Sequence, residues 1–109
     1  MLENREYCKR VADEIERYTA GGVVNDDGEN LNLWDYLTDV LDYDFTVDSR
    51  KEYRSARIWV SLGGPNVWID TADRAVKLAW GTDRAEYPID SDVCDEIDDV
   101  MREIYDYAN

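Results

Sequence analysis

Near the C-terminus, Asp92, Asp95, Glu96, Asp99, Glu103 and Asp106 follow one another at mostly three- and four-residue steps. At ~100° per residue on a helix, these six carboxylates share an arc of roughly 100°. Val93, Ile97, Val100, Met101, Ile104 and Ala108 take the opposite side. Neighbouring acids on such a face lie ~5–6 Å apart and repel by a few tenths of a kcal/mol per pair. The helix N-terminus offsets this for the early acids, but Glu103 and Asp106 stand at the unfavourable end. Arg102 is the one base among residues 86–109. A row of carboxylates at this spacing is comparable to the phosphates along a nucleic-acid strand. It can occupy a Lys/Arg-lined groove through the steering electrostatics that such a groove uses on DNA. Two other readings stay open: a solvated acidic face, and a site for another basic partner or a cation. Asp35, Asp39 and Asp42 repeat the spacing on an earlier predicted helix.

Other chemistries are poorly served by these residues. The 109-residue chain has no His, which removes Ser-His-Asp and Cys-His arrangements, the usual base near neutral pH, and His-containing zinc sites. Cys8 and Cys94 fall on the apolar sides of separate predicted helices and are expected as buried free thiols rather than a disulfide or a nucleophile. Gly21-Gly22, Gly28, Gly63-Gly64 and Gly81 punctuate turns and build no phosphate loop. The stretch Asn25-Asp26-Asp27-Gly28-Glu29-Asn30 lacks the alternating ligands and terminal Glu of a calcium loop and reads as an acidic turn. The expectation is a protein without catalytic residues, metal or cofactor.

The elements that must position these side chains follow from periodicity. Residues 3–20 form a predicted helix with Cys8, Val11, Ile15 and Tyr18 on one side, stopped by Gly21-Gly22. A polar acidic loop leads to Asn32, the expected N-cap of a second helix with Asp35 in its first turn. Leu33, Trp34, Leu37, Val40 and Leu41 make its apolar side, and it fades near Tyr43. Alternation then takes over: Tyr43, Phe45 and Val47 suggest an edge strand, residues 53–62 a longer one, and Val67–Thr71 and Ala75–Trp80 two more. Gly63-Gly64-Pro65-Asn66 and Ala72-Asp73-Arg74 turn the chain, and Pro88 keeps Tyr87 extended. The closing helix starts at Asp90 or Ser91. The order predicts one α+β domain over residues 1–109: two N-terminal helices, a three- to four-stranded antiparallel β-meander, and a C-terminal helix, with the helices on one sheet face. Ile58, Val60, Leu62, Val67, Ile69, Val76, Leu78 and Trp80 would line that face.

Charge is organised along this order. Residues 26–48 hold eight acids and no base, and residues 86–109 hold nine acids and one base. Residues 49–85 hold four acids and seven bases, so a mildly basic sheet sits in a chain of net charge −14. Alternation turns Arg57, Trp59, Trp68, Asp70, Lys77 and Tyr53 away from the helices. Two Trp beside Arg and Lys can stack bases, but the net charge repels phosphates. Coverage by another element or by a second subunit is the favoured expectation for that face. No apolar run approaches the ~20 residues that span a bilayer, and no signal-like segment opens the chain. The expected location is therefore the cytoplasm, with no membrane partner.

The segments Asn4-Arg5-Glu6-Tyr7-Cys8-Lys9, Leu33-Trp34-Asp35-Tyr36-Leu37, Gly63-Gly64-Pro65-Asn66-Val67-Trp68-Ile69-Asp70-Thr71 and Thr82-Asp83-Arg84-Ala85-Glu86-Tyr87-Pro88-Ile89 resemble short uncharacterised proteins carried by mobile elements of gut Firmicutes. In size and acidity the chain also resembles phage anti-CRISPR and anti-restriction proteins. The first resemblance brings no known catalytic residue; the second implies a basic nucleic-acid-binding protein, such as a CRISPR nuclease, as partner in a bacterial host cell, while the net charge of −14 argues against direct contact with nucleic acid. The leading expectation is a non-enzymatic inhibitor whose acids on the last helix, supported by Asp35, Asp39 and Asp42, stand in for phosphates, with Trp59 or Trp68 as an apolar anchor. The alternative is a structural or regulatory protein of a mobile element that forms a homodimer, or binds a partner, through its Trp-bearing sheet face.

Overall fold

The computed structural model describes residues 2–108. Helix α1 (Leu2–Thr19) leads into a minimal hairpin, β1 (Val23–Val24) and β2 (Asn30–Leu31), and then a short helix, α2 (Leu33–Thr38). Strands β3 (Asp42–Val47), β4 (Tyr53–Ser61), β5 (Asn66–Asp70), β6 (Ala75–Trp80) and β7 (Asp83–Pro88) follow, and α3 (Ser91–Ala108) ends the chain. The five long strands pair antiparallel in sequence order, β3-β4-β5-β6-β7. The α+β class and the helix placement agree with the sequence reading, but the sheet has five strands and the acidic loop contains a hairpin.

Strand β7 escaped the sequence reading because its alternation is carried by Ala85 and Tyr87 alone, and because Pro88 argues against a strand interior. At a sheet edge that objection lapses, since a missing N–H costs no ladder bond there. The helix at Leu33 is also shorter than expected. Asn32 does cap it: its side-chain oxygen accepts from Asp35 N at 3.0 Å, and the Asp35 carboxylate accepts from Asn32 N at 2.8 Å. Beyond Thr38 the chain bends, and Leu41 N donates to Trp59 O at 3.1 Å, already starting the sheet.

One sheet face and the helices enclose a single core. Cys8, Val11, Ala12 and Ile15 of α1 meet Val67, Ile69, Val76 and Leu78 of the sheet, and Val93, Cys94, Ile97 and Met101 of α3 complete the layer with Leu33 and Leu37. Helix α1 lies over β6 and β7, α3 lies against β4, and α2 packs on both helices. Burying a Leu or Ile side chain contributes about 1.5–3 kcal/mol, which makes this one-sided layer the main source of stability. Among the described residues no helix covers the other sheet face. Two residues expected on the helix side fall short of the core: Leu62, just beyond β4, is 54% exposed and Trp80, at the end of β6, is 56% exposed. Tyr53, placed on the far face by strict alternation, is buried in the core instead. An irregularity opposite Thr46 and Val47 inserts one extra residue in β4 and reverses the parity. Among the described residues no helix is long and apolar enough to cross a membrane.

Candidate acidic docking surface

Helix α3 positions the carboxylates. Asp90 starts it, accepting from Asp92 N through its side chain at 2.8 Å and from Cys94 N through its carbonyl at 3.0 Å. The helix then runs for 18 residues without Gly or Pro. Its apolar stripe, anchored by Val93, Cys94, Ile97 and Met101, fixes the rotation. All six acids expected on the outer side are exposed: Asp92, Asp95, Glu96, Asp99, Glu103 and Asp106. Asp95 makes a long ion pair with Arg74 at 4.0 Å, and Asp99 pairs with Arg102 at 3.3 Å. Both are surface pairs worth ~0–1 kcal/mol. Asp92, Glu96, Glu103 and Asp106 have no ion pair among the described residues.

Asp98 belongs to a different arrangement. It turns inward and accepts the Tyr53 hydroxyl proton in a hydrogen bond of 2.6 Å. Burial, and then that hydrogen bond, push the Tyr53 phenol well above its usual range. The contact ties α3 to β4, and the Arg102 guanidinium lies over the same ring at 5.2 Å. The Tyr105 hydroxyl donates to Lys51 O at 2.7 Å and ties the end of α3 to the β3–β4 turn. That turn is organised by Asp48, whose carboxyl is held below its usual range by backbone N–H donors, Glu52 first, with Arg54 adding to them.

The supporting acids do not extend the stripe. Asp35 spends its carboxylate on the α2 cap, Asp39 is the C-cap outside the helix, and Asp42 lies on β3 with its side chain accepting from Tyr43 N at 2.8 Å. Asp35 and Asp39 border a groove with Glu14 and Tyr18 of α1, whereas Asp42 pairs in register with Trp59 on the helix-free face. The expected second acidic row is therefore absent, because α2 ends before a row can form. Trp59 and Trp68 also sit on that far face, their ring centroids 5.0 Å apart. The sheet separates them from α3, so they do not anchor a surface built on it.

Trp34 takes that place. It is 41% exposed on α2 and borders α3. On one side it shares a groove with Glu96, Asp99 and Val100, and on the other with Glu103, Ile104 and Tyr107. Periodicity alone puts Trp34 on the apolar side of a helix that continues to Tyr43. A helix of six residues buries only Leu33 and Leu37. The usable signal was the adjacency of Leu33 and Trp34, ~100° apart on a helix, so that a narrow interface cannot bury both.

The two thiols are buried and free, as expected. Burial pushes the Cys94 thiol up to about 11, with the Asp98 carboxylate adding to it, and burial also raises Cys8. Neither is poised as a nucleophile. Among the described residues no three Cys, Asp or Glu side chains converge as metal ligands would. The chain matches no family model, no curated protein and no solved structure.

Proposed function

We propose that the protein is a non-enzymatic inhibitor of a nucleic-acid-binding defence nuclease, of anti-CRISPR or anti-restriction type, and that α3 stands in for DNA phosphates against a Lys/Arg-lined surface. The observation that carries this reading is the exposed row of six carboxylates on one side of a regular helix. From Asp92 to Asp106 the helix rises ~21 Å at ~1.5 Å per residue. That is about one negative charge per 4 Å, against one per ~3.4 Å along a single strand of duplex DNA. Trp34 supports the reading as an aromatic anchor beside the acids, since a guanidinium that pairs with Glu96 or Glu103 can also lie over its ring.

The repulsion within the row lends further support. A helix selected for folding alone would intersperse Lys on its outer side, and this one does so only at Arg102. The test is to neutralise Asp95, Glu96 and Glu103 together to Asn and Gln, and to measure binding to a target nuclease against salt. The reading expects roughly tenfold or greater loss of affinity and a shallower salt dependence. Folded variants that bind and inhibit as well as the parent would refute a role for α3.

A further inference from the structure

The helix-free face of the sheet has a charge pattern with its own symmetry. Strand register sets Asp44, Arg57 and Asp70 in one row across β3, β4 and β5. The next row runs from Asp42 and Trp59 through Trp68 and Lys77 to Glu86. Arg84, beside Ala79, begins the row after that. Trp68 stands on the central strand, and the whole pattern can be laid out with ~4.8 Å between strands and ~6.8 Å between same-face neighbours along a strand. A diagonal through Trp68, about 35° from the strand direction on these spacings, then relates three of the four acids in these rows to a base, Asp42 falling opposite Ala79. Asp44 mirrors onto Arg84, Asp70 onto Lys77, and Glu86 onto Arg57, each within the reach of a long side chain.

We infer that this face is where two copies of the chain associate. A two-fold axis along that diagonal lays one face on the other with Trp68 against Trp68 and Asp44, Asp70 and Glu86 each opposite a base. The strands of the two sheets then cross at about 70°, close to the orthogonal class of sheet packing. The face also suits self-association in a chain of net charge −14, because its charges are largely balanced within it. Arg57 pairs with Asp44 at 3.3 Å, and Lys77 pairs with Asp70 at 3.6 Å and with Asp73. A phosphate backbone would meet an acid beside each of these bases. The patch measures roughly 20 Å by 20 Å on the same spacings, smaller than the ~800 Å² per partner of standard interfaces, so the dimer is weak and reversible. It leaves both α3 helices outward, and the inference is independent of the proposed inhibitory role.

The test uses sedimentation of the full chain over a wide concentration range, with circular dichroism to verify folding. The wild type is expected to pass reversibly from monomer to dimer. Asp44→Lys and Arg84→Glu are each expected to weaken the dimer at least tenfold when alone, and to recover it when mixed in equal amounts. In the mixed dimer the introduced charges attract across one half, and the native Asp44–Arg84 pair survives in the other. A wild type that stays monomeric, variants that dimerise as it does, or a mixture that stays monomeric would each overturn the inference. A monomer that binds a single-stranded oligonucleotide, and loses that binding on Trp68→Ala, would also overturn it and would assign the face to nucleic acid.

Discussion

The hydrogen bond from Tyr53 to Asp98 shows how much a single residue settles in this molecule. It joins the sheet to α3 at a part-buried site, at 2.6 Å and to an acid acceptor. Bonds to charged groups contribute about 1.5–3 kcal/mol, so Tyr53→Phe is expected to lower stability in urea unfolding by about that much. No change would mean that the bond is matched by water in the unfolded chain. The position of Tyr53 was illegible in the sequence, because one inserted residue in β4 reverses the alternation and no residue type announces it. The thiols were legible, since Cys8 and Cys94 fall on apolar helical sides. Their burial sets a pH dependence. Unfolded thiols lose their protons near ~8.5, whereas Cys94 keeps its own up to about 11. Between those values the folded state binds more protons, so stability falls as pH rises and is flat below the lower value. Urea midpoints from neutral to alkaline pH measure this, and Cys94→Ala should flatten the alkaline slope. Ellman's reagent should leave both thiols unreacted at neutral pH until the protein unfolds.

At the level of elements, the acid row of α3 sets the proposed function against stability. Glu103 stands four residues after Asp99 and three before Asp106, near a helix end that favours bases. Replacing Glu103 and Asp106 by Lys is expected to stabilise the fold by about 1 kcal/mol while weakening the interaction with a basic partner. A destabilised variant would show that these acids have a structural partner. Helix α3 was legible nearly to the residue because its two stripes reinforce one another. Helix α2 was not: Leu33, Leu37, Val40 and Leu41 fit a helix, yet residues 40 and 41 serve as the entry to β3. Apolar residues near a helix–strand junction satisfy both periods for a few positions, and tertiary pairing with β4 decides between them. That decision carried two candidate residues with it, since Asp39 and Asp42 lost their helix and Trp34 gained its exposure.

Over the whole molecule, charge is divided by the sheet. The acid row of α3 lies on the helical side, and the balanced Trp-bearing face lies on the other. The division was readable as segment charge along the chain, but which aromatic residue accompanied which charges was not, because it depends on sheet parity and on the length of α2. Opposite salt responses follow. The isolated protein, repelling itself at −14, is expected to gain stability as salt is raised to physiological strength and the Debye length falls to ~8 Å. Its complex with a basic partner is expected to weaken over the same range. Urea midpoints and binding titrations in the same buffers compare the two, and a complex insensitive to salt would argue against a charge-led interface. DNA mimicry by α3 is open to direct measurement in target-DNA cleavage by a panel of type II CRISPR nucleases and restriction enzymes, with the protein added before or after the DNA. Mimicry requires inhibition of a nuclease only when the protein is added first, and its loss on neutralising Asp95, Glu96 and Glu103. Inhibition in either order, inhibition retained by that variant, or none across the panel would contradict it.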